Sequence, residues 1–340
     1  DGWMSLSLHA GATVEEIARC GRDPERLLGL EASRRLPRTL GLGQDRHAVH
    51  VDQVDVLVES GRDPPALPSA PPTASDRAIA EHARRYVKDG TTLQTGIGGI
   101  PDAVATLLAE GPGGDYGIHS EMFTTGLMRL HQAGKVSNAR KGIHEGVSVA
   151  TFAMGTPELY AWLDGREDVR FLPVEKVNAP AIIAANRNML SLNGALSLDL
   201  YGQIVADVIG GRQHSGIGGH EDFISGAGLE ADDRSLVCLP STVTVGGRVL
   251  SRILPSLRAG AVVTTPRHQL DVVVTEHGAA EVLGLTVRER ARALAAIAHP
   301  DFREDLLAAA ETLGKGSYPD RILARVKALA ISARRRGKSG

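Results

Sequence analysis

Three short segments of this 340-residue chain carry residue types suited to acyl chemistry. In GIHSEM (117–122), Glu121 follows His119 and Ser120 at the end of a short apolar stretch. The other two are glycine-rich, LQTGIGGIPDAV (93–104) and SGIGGHEDF (215–223). A carboxylate on a rigid strand end can attack a carbonyl carbon and form a covalent acyl intermediate. Glycines let main-chain N–H groups approach the oxyanion that develops, and one such donor is typically worth about 2.7–4 kcal/mol of barrier. Positioning and partial desolvation of the carboxylate add up to ~7–11 kcal/mol in favourable cases.

Each segment also has a plainer reading. Taken alone, Glu121 is a first-turn helix acid with Ser120 as N-cap. The first glycine loop, with Ile97, Gly98 and Gly99, is a strand-to-helix turn in which Pro101 opens the helix. It lacks the third glycine of a dinucleotide fingerprint and the Gly-Lys-Ser/Thr of a phosphate loop, so nicotinamide binding is not expected. In the second, Gly216, Gly218 and Gly219 repeat the Ile-Gly-Gly core. Ser215 is no nucleophile elbow, because Gln213 stands where that turn needs glycine. His214, His220 and Glu221 match no zinc spacing, and no metal is expected. Asn193, Asp199, Gly202 and Gln203 read either as hairpin punctuation or as contacts to a substrate arm or the active loops. His299-Pro300-Asp301 ends one helix and caps the next.

These segments need a frame to hold them. Strands are predicted at 91–96, 115–118, 146–153, 168–174, 189–193, 204–209, 235–239, 260–265 and 271–275. Helices are predicted at 76–90, 101–110, 121–132, 157–164, 179–187, 285–298 and 302–313. That alternation specifies a mostly parallel sheet with helices on its faces, and ligands gather at the carboxyl ends of such strands. The proline-rich stretch RDPPALPSAPPTASD (62–76) separates this region from a smaller one before it.

Composition excludes several classes. Hydrophobic residues make up 42% and charged residues 23%, with a net charge of −2, so no general basic field favours nucleic acid or membrane. No apolar run approaches the ~20 residues of a membrane span. The basic run RRRGKS (334–339) reads as a solvated tail. Two cysteines, Cys20 and Cys238, allow no disulfide framework and suit a reducing cytoplasm; Cys238 reads as core. The chain opens on Asp1 in what reads as the middle of a domain.

Together the segments resemble the acetyl-CoA hydrolase/transferase family, which includes the 4-hydroxybutyrate, butyrate and succinate:acetate CoA-transferases. The matching stretches are 93–104, 117–122, NGALSLDLYGQIVAD (193–207), SGIGGHEDFISGA (215–227), VTEHG (274–278) and AIAHPDFRE (296–304). They stand in the family's order and span about residues 30 to 313. The resemblance implies an α/β fold of two CoA-transferase-type open-sheet domains, the first truncated at its N-terminus: residues 1–61 its back part, 62–75 a linker, 76–330 the catalytic domain and 331–340 a basic tail. It implies Glu121 as nucleophile in a ping-pong transfer of CoA from an acyl-CoA donor to a small carboxylate, through a glutamyl-CoA thioester. Main-chain donors are carried to Ile97, Gly98 and Gly99 and to Gly216, Gly218 and Gly219, with His119, Ser120, Asn193 and Gln203 in support. Coenzyme A enters as substrate, and a homo-oligomer is expected by analogy.

Ser197 departs from the acidic or amide residue of many relatives, which bears on acceptor choice. Two other readings stay open: an acyl-CoA hydrolase using the same glutamate, and a non-catalytic acyl-CoA-binding module.

Overall fold

A computed structural model describes residues 2–9, 11–68 and 70–313. Its centre is a six-stranded sheet built from β1 (Thr92–Thr95), β2 (Gly117–Ile118), β3 (Met189–Gly194), β4 (Arg234–Cys238), β5 (Val272–Thr275) and β6 (Gly278–Glu281). The order across the sheet is β6-β5-β4-β3-β1-β2, parallel except for the β5–β6 hairpin.

Side-chain alternation assigns each strand residue to one of two cores. Leu236, Cys238, Val272 and Val274 face a cluster with Ile79, Ala80 and Ala83 of α1 (Ala74–Ala83). Their neighbours Val237 and Val273 face the other side, against Leu294 of α6 (Val287–Ala296) and Leu306 of α7 (Pro300–Thr312). With both faces covered, the strands read as near-continuous apolar runs rather than alternating ones. Burying each large aliphatic side chain contributes about 1.5–3 kcal/mol.

Helix starts follow local chemistry. Thr73 and Asp76 form a capping box before α1, and Thr286 with Glu289 does the same for α6. His299 caps α7 by accepting the Asp301 N–H, with Pro300 in the first turn.

The structure corrects several boundaries. The helix expected over 121–132 begins only at Thr125: α3 runs Thr125–Gln132, capped by the Thr124 hydroxyl. Residues Met122 and Phe123 are instead extended, paired in parallel with Phe152 and Ala153. Ser120 is therefore not an N-cap; its hydroxyl donates to the Met122 carbonyl at 2.8 Å. The expected strand 260–265 makes only an isolated bridge, Thr265 with Ile204. The expected strand 204–209 splits into Ile204–Val205 and Val208–Ile209 around Asp207.

In the N-terminal quarter, Gly29–Ser33 and Val56–Ser60 form a two-stranded parallel sheet, and Val56, Leu57 and Val58 are about half exposed on it (49%, 51% and 56%). Residues 61–73, apart from the undescribed residue 69, hold no helix or strand. This stretch is tied down where Leu67 N–H donates to the Gly155 carbonyl at 2.8 Å and the Tyr160 hydroxyl to that of Pro65 at 2.9 Å. The expected basic tail 331–340 and the end of the expected catalytic domain lie outside the described residues.

Candidate active site

Glu121 stands three residues beyond β2, and its main chain is fixed on both sides. The Ser120 N–H donates to the Val149 carbonyl at 3.0 Å. The Glu121 carbonyl accepts from the N–H groups of Thr151 and Phe152 at 2.9 and 3.2 Å. Extended pairing, not a helix, thus aims the carboxylate out of the carboxyl end of the sheet, where open α/β folds collect ligands.

The second glycine loop meets it there. The Gly219 N–H donates to Glu121 Oε2 at 2.8 Å. A Cβ built on Gly219 falls 2.6 Å from that same oxygen and collides with the Asn178 amide nitrogen. Gly219 has φ −85°, which any residue adopts, so the requirement for glycine here is steric. Gly218 differs: its φ of +56° is itself a glycine conformation.

Asn178 follows α4 (Val174–Val177) and carries its side-chain amide between two carboxylates. It donates to Asp222 Oδ2 at 3.1 Å and lies against Glu121, where it helps the ionised form. Asp222 belongs to α5 (His220–Gly226). Burial raises the Glu121 pKa above the ordinary glutamate range. Hydrogen bonds from Gly219 and Asn178 pull it back, and the Asp222 charge pushes it up again. A carboxylate of raised basicity is the better nucleophile once ionised.

His119 is fully buried, and its Nε2 contacts the Val177 carbonyl at 2.8 Å. A carbonyl can only accept, so Nε2 carries the proton. Burial pushes its pKa down to about 3, with the nearby Lys141 charge adding to the shift, so the ring is neutral. His119 therefore links the end of β2 to the residue before Asn178. Lys141, also buried, is pushed down to about 7 and donates to the Val147 carbonyl at 2.8 Å.

The first glycine loop leaves β1 directly beside this point. The Thr95 carbonyl, its last strand residue, lies 3.4 Å from the Ser120 hydroxyl. Gly98 then turns the chain at φ +115° as the N-cap of α2 (Gly99–Glu110). Ile97 is exposed, and a Cβ on Gly96 or Gly98 would meet nothing within 4 Å, so this loop borders open space. A glutamate with one main-chain donor already on its oxygen has the kind of hydrogen-bond support that a developing oxyanion needs.

Comparison with known proteins places the chain in a family. Residues 77–229 match the model of the coenzyme A transferase family, and residues 155–310 match that of the acetyl-CoA hydrolase/transferase C-terminal domain. The succinyl-CoA:cyclohexane-1-carboxylate CoA transferase of Geobacter metallireducens is 37% identical, over 92% of this chain and 69% of its own length. The chain belongs to the acetyl-CoA hydrolase/transferase family. The 4-hydroxybutyrate coenzyme A transferase of Clostridium kluyveri is 43% identical over 83% of this chain, which spans 64% of that relative's length. The crystal structure of RipA from Yersinia pestis superposes with a TM-score of 0.82 at 36% identity, covering 92% of this chain and 68% of that one.

Within this hydrolase/transferase chain, the remaining expected residues are placed as follows. Asn193, the next-to-last residue of β3, lies beside Gln94 of β1, its amide 3.4 Å from the Gln94 side-chain oxygen. Gln203 donates to Asp199 Oδ2 at 2.8 Å, and Asp199 Oδ1 accepts from the N–H groups of Tyr201 and Gln203 at 3.0 Å each. That closes an Asx-type turn, with no contact to Glu121 among the described residues. Gly216 lies on an exposed part of the second loop, where a Cβ would meet nothing within 4 Å. Among the described residues, no group of three or more His, Cys, Asp or Glu is placed to hold a metal. No described helix is long and apolar enough to cross a membrane.

Sequence reasoning missed Asn178 and Asp222. Asn178 lies in VNAP (177–180), where a polar residue before Ala-Pro reads as a turn. Only its arrival beside Glu121, 57 positions earlier in the chain, marks it.

Proposed function

We propose that this chain carries the nucleophile of an acyl-CoA:carboxylate CoA-transferase, with Glu121 as the group that becomes covalently modified. The relatives' names support transfer of CoA between an acyl-CoA and a carboxylic acid. Because the chain spans less than two thirds of the C. kluyveri enzyme, the whole protein's activity is an inference from this part. The division into a partial first domain (1–61), linker (62–75) and catalytic domain (from 76) belongs to the same proposal, as do assembly into a homo-oligomer and a cytoplasmic setting.

The observation that carries the reading is the 2.8 Å bond from Gly219 N–H to Glu121 Oε2. In the first step an ionised Glu121 oxygen attacks the thioester carbonyl carbon. The C–S bond breaks, CoA leaves as thiolate, and a mixed anhydride remains. In the second step the thiolate attacks Cδ of Glu121 itself. Charge then develops on a Glu121 oxygen, where the Gly219 N–H already points, so this donor needs no reorganisation at the moment of reaction. Collapse breaks the C–O bond, releases the donor's carboxylate and leaves a glutamyl-CoA thioester. The acceptor carboxylate runs both steps in reverse. Binding energy from the remote parts of CoA offsets the cost of this high-energy ester.

A hydrolase differs only in the group that ends the cycle. Glu121 is half-buried rather than sealed, so water reaching the thioester would give hydrolysis from the same intermediate. Mass spectrometry of the protein after incubation with acetyl-CoA or butyryl-CoA, with borohydride trapping, tests the shared step. The expected result is a CoA-dependent change confined to the Glu121 peptide. CoA binding with an unmodified peptide would instead make the chain a binding module. Acyl acceptor assays with and without acetate then separate transfer from hydrolysis.

A further inference from the structure

The Gly219 N–H can serve Glu121 only if its loop holds still, and the loop has little of its own to hold it. Residues 215–219 include three glycines, Ile217 is exposed, and a Cβ on Gly216 would meet nothing within 4 Å. Each glycine brings extra backbone freedom that must be restrained from outside.

The restraint at the far end of the loop converges on one carboxylate. A short hairpin pairs Val208–Ile209 with Arg212–Gln213, and Asp207 sits at its base. One Asp207 oxygen accepts from the Thr264 hydroxyl at 2.5 Å; the other accepts from the Gln213 side-chain amide at 2.9 Å. The same Gln213 nitrogen donates to the Ser215 carbonyl at 2.5 Å. The Asp207 carbonyl accepts from the N–H groups of His214 and Ser215 at 2.8 and 3.3 Å. Thr264 is fixed in turn, since its hydroxyl accepts the Ala206 N–H at 2.8 Å.

Only 7% of Asp207 and 6% of Thr264 is exposed. The Thr264 hydroxyl holds the Asp207 pKa below the usual range, so the carboxylate is ionised and accepts on both oxygens. His220 faces it from the start of α5, partly buried and neutral, its pKa pushed down to about 4 by desolvation against the pull of Asp207.

We infer that Asp207 is a positioning residue for the oxyanion donor: through Gln213, Thr264 and its own carbonyl it pins the start of the 215–219 loop and keeps the Gly219 N–H aimed at Glu121. Its effect on turnover rests on the proposed function, but its effect on the Gly219–Glu121 bond does not.

The test therefore uses two readouts on the intact chain. The first is NMR of the Gly219 amide proton against pH, which follows ionisation of Glu121 through their hydrogen bond and needs no substrate. The variants are Gln213→Ala, at an exposed side chain, and the pair Thr264→Val and Thr264→Ser. Loss of the anchor frees the Gly219 donor, which lowers the Glu121 pKa when bound. The titration midpoint in Gln213→Ala and Thr264→Val is then expected to rise and the amide shift to shrink. Thr264→Ser keeps the hydroxyl and is expected to keep the wild-type midpoint. The second readout is turnover of butyryl-CoA with acetate, where kcat is expected to fall about tenfold or more in the first two variants with KM for acyl-CoA little changed. An unchanged Gly219 titration in folded Gln213→Ala and Thr264→Val overturns the inference. A shifted titration in protein that never labels at Glu121 upholds the anchor and overturns the function instead.

Discussion

Gly219→Ala isolates the geometry on which the proposed reaction depends. The backbone at Gly219, with φ −85° and ψ 15°, accepts alanine without strain. What alanine cannot do is share the space. Its Cβ would lie 2.6 Å from Glu121 Oε2 and 2.9 Å from Glu121 Cδ, and it collides with the Asn178 amide. A carbon and an oxygen settle at about 3.3 Å or more, so the carboxylate must retreat by roughly 0.7 Å. That stretches the 2.8 Å bond from Gly219 N–H beyond useful length. Loss of one oxyanion donor costs about 10²–10³ in kcat, and displacement of the nucleophile by nearly 1 Å adds to it. We expect kcat to fall by about 10³ while the melting temperature moves by only a few degrees, because residues 211–218 before it are exposed and the groups displaced are the Glu121 and Asn178 side chains rather than apolar core. Gly218→Ala is the control. Its Cβ stays 3.6 Å from the carboxylate, but φ +56° imposes a backbone cost of about 1–2 kcal/mol. It is expected to loosen the loop with a smaller loss of rate. Steady-state assays of CoA transfer, paired with thermal melts, decide the matter. A Gly219→Ala enzyme within threefold of wild type, with its fold intact, would refute the assignment of this amide to the reaction.

Three further outcomes are expected. Glu121→Gln keeps an acceptor for Gly219 but cannot attack, so labelling by acyl-CoA disappears and kcat drops by about 10⁴ or more, as seen by mass spectrometry and turnover. Asp222→Asn removes a charge that raises the Glu121 pKa, so the acid limb of the kcat/KM profile moves to lower pH; a limb that stays or moves up would show that Asp222 does not act on Glu121. Asp233 is pushed up to about 7 by burial, with Glu230 and Asp232 adding to it, and its Oδ1 accepts the Met189 N–H at 2.7 Å. The folded state therefore holds that proton more tightly than the unfolded chain, and stability falls as pH rises from the ordinary aspartate range through about 7. Asp233→Asn keeps the acceptor and is expected to flatten that loss, so its advantage over wild type in melting temperature grows between pH 5 and pH 8.

The parallel sheet was legible because its strands are fully covered and so read as apolar runs, bounded by helices whose capping chemistry is local: Thr73 with Asp76, Thr286 with Glu289, His299 before Pro300. The exit from β2 was misjudged. Local propensity favours a helix from Glu121 onward, but pairing of Met122 and Phe123 with Phe152 and Ala153, about 30 residues later, wins and delays the helix to Thr125. The expected strand 260–265 failed for a related reason, since Thr264 is held by Asp207 and Ala206 rather than by a ladder of its own.

For the site itself, sequence alone determined the nucleophile candidate and both glycine loops, because a carboxylate after a short strand and glycines before a helix are chemical signals carried by adjacent residues. It also determined the family, because several such signals recur in a fixed order. Only the tertiary structure decided that Gly219, rather than any other loop glycine, donates to Glu121. It alone brought Asn178 and Asp222 to that carboxylate and tied the loop back to Asp207. The contacts to Glu121 join residues from 57 to 101 positions apart, and Thr264 reaches Asp207 across 57; they are set by how the strands pair and the helices pack, and no local pattern encodes them.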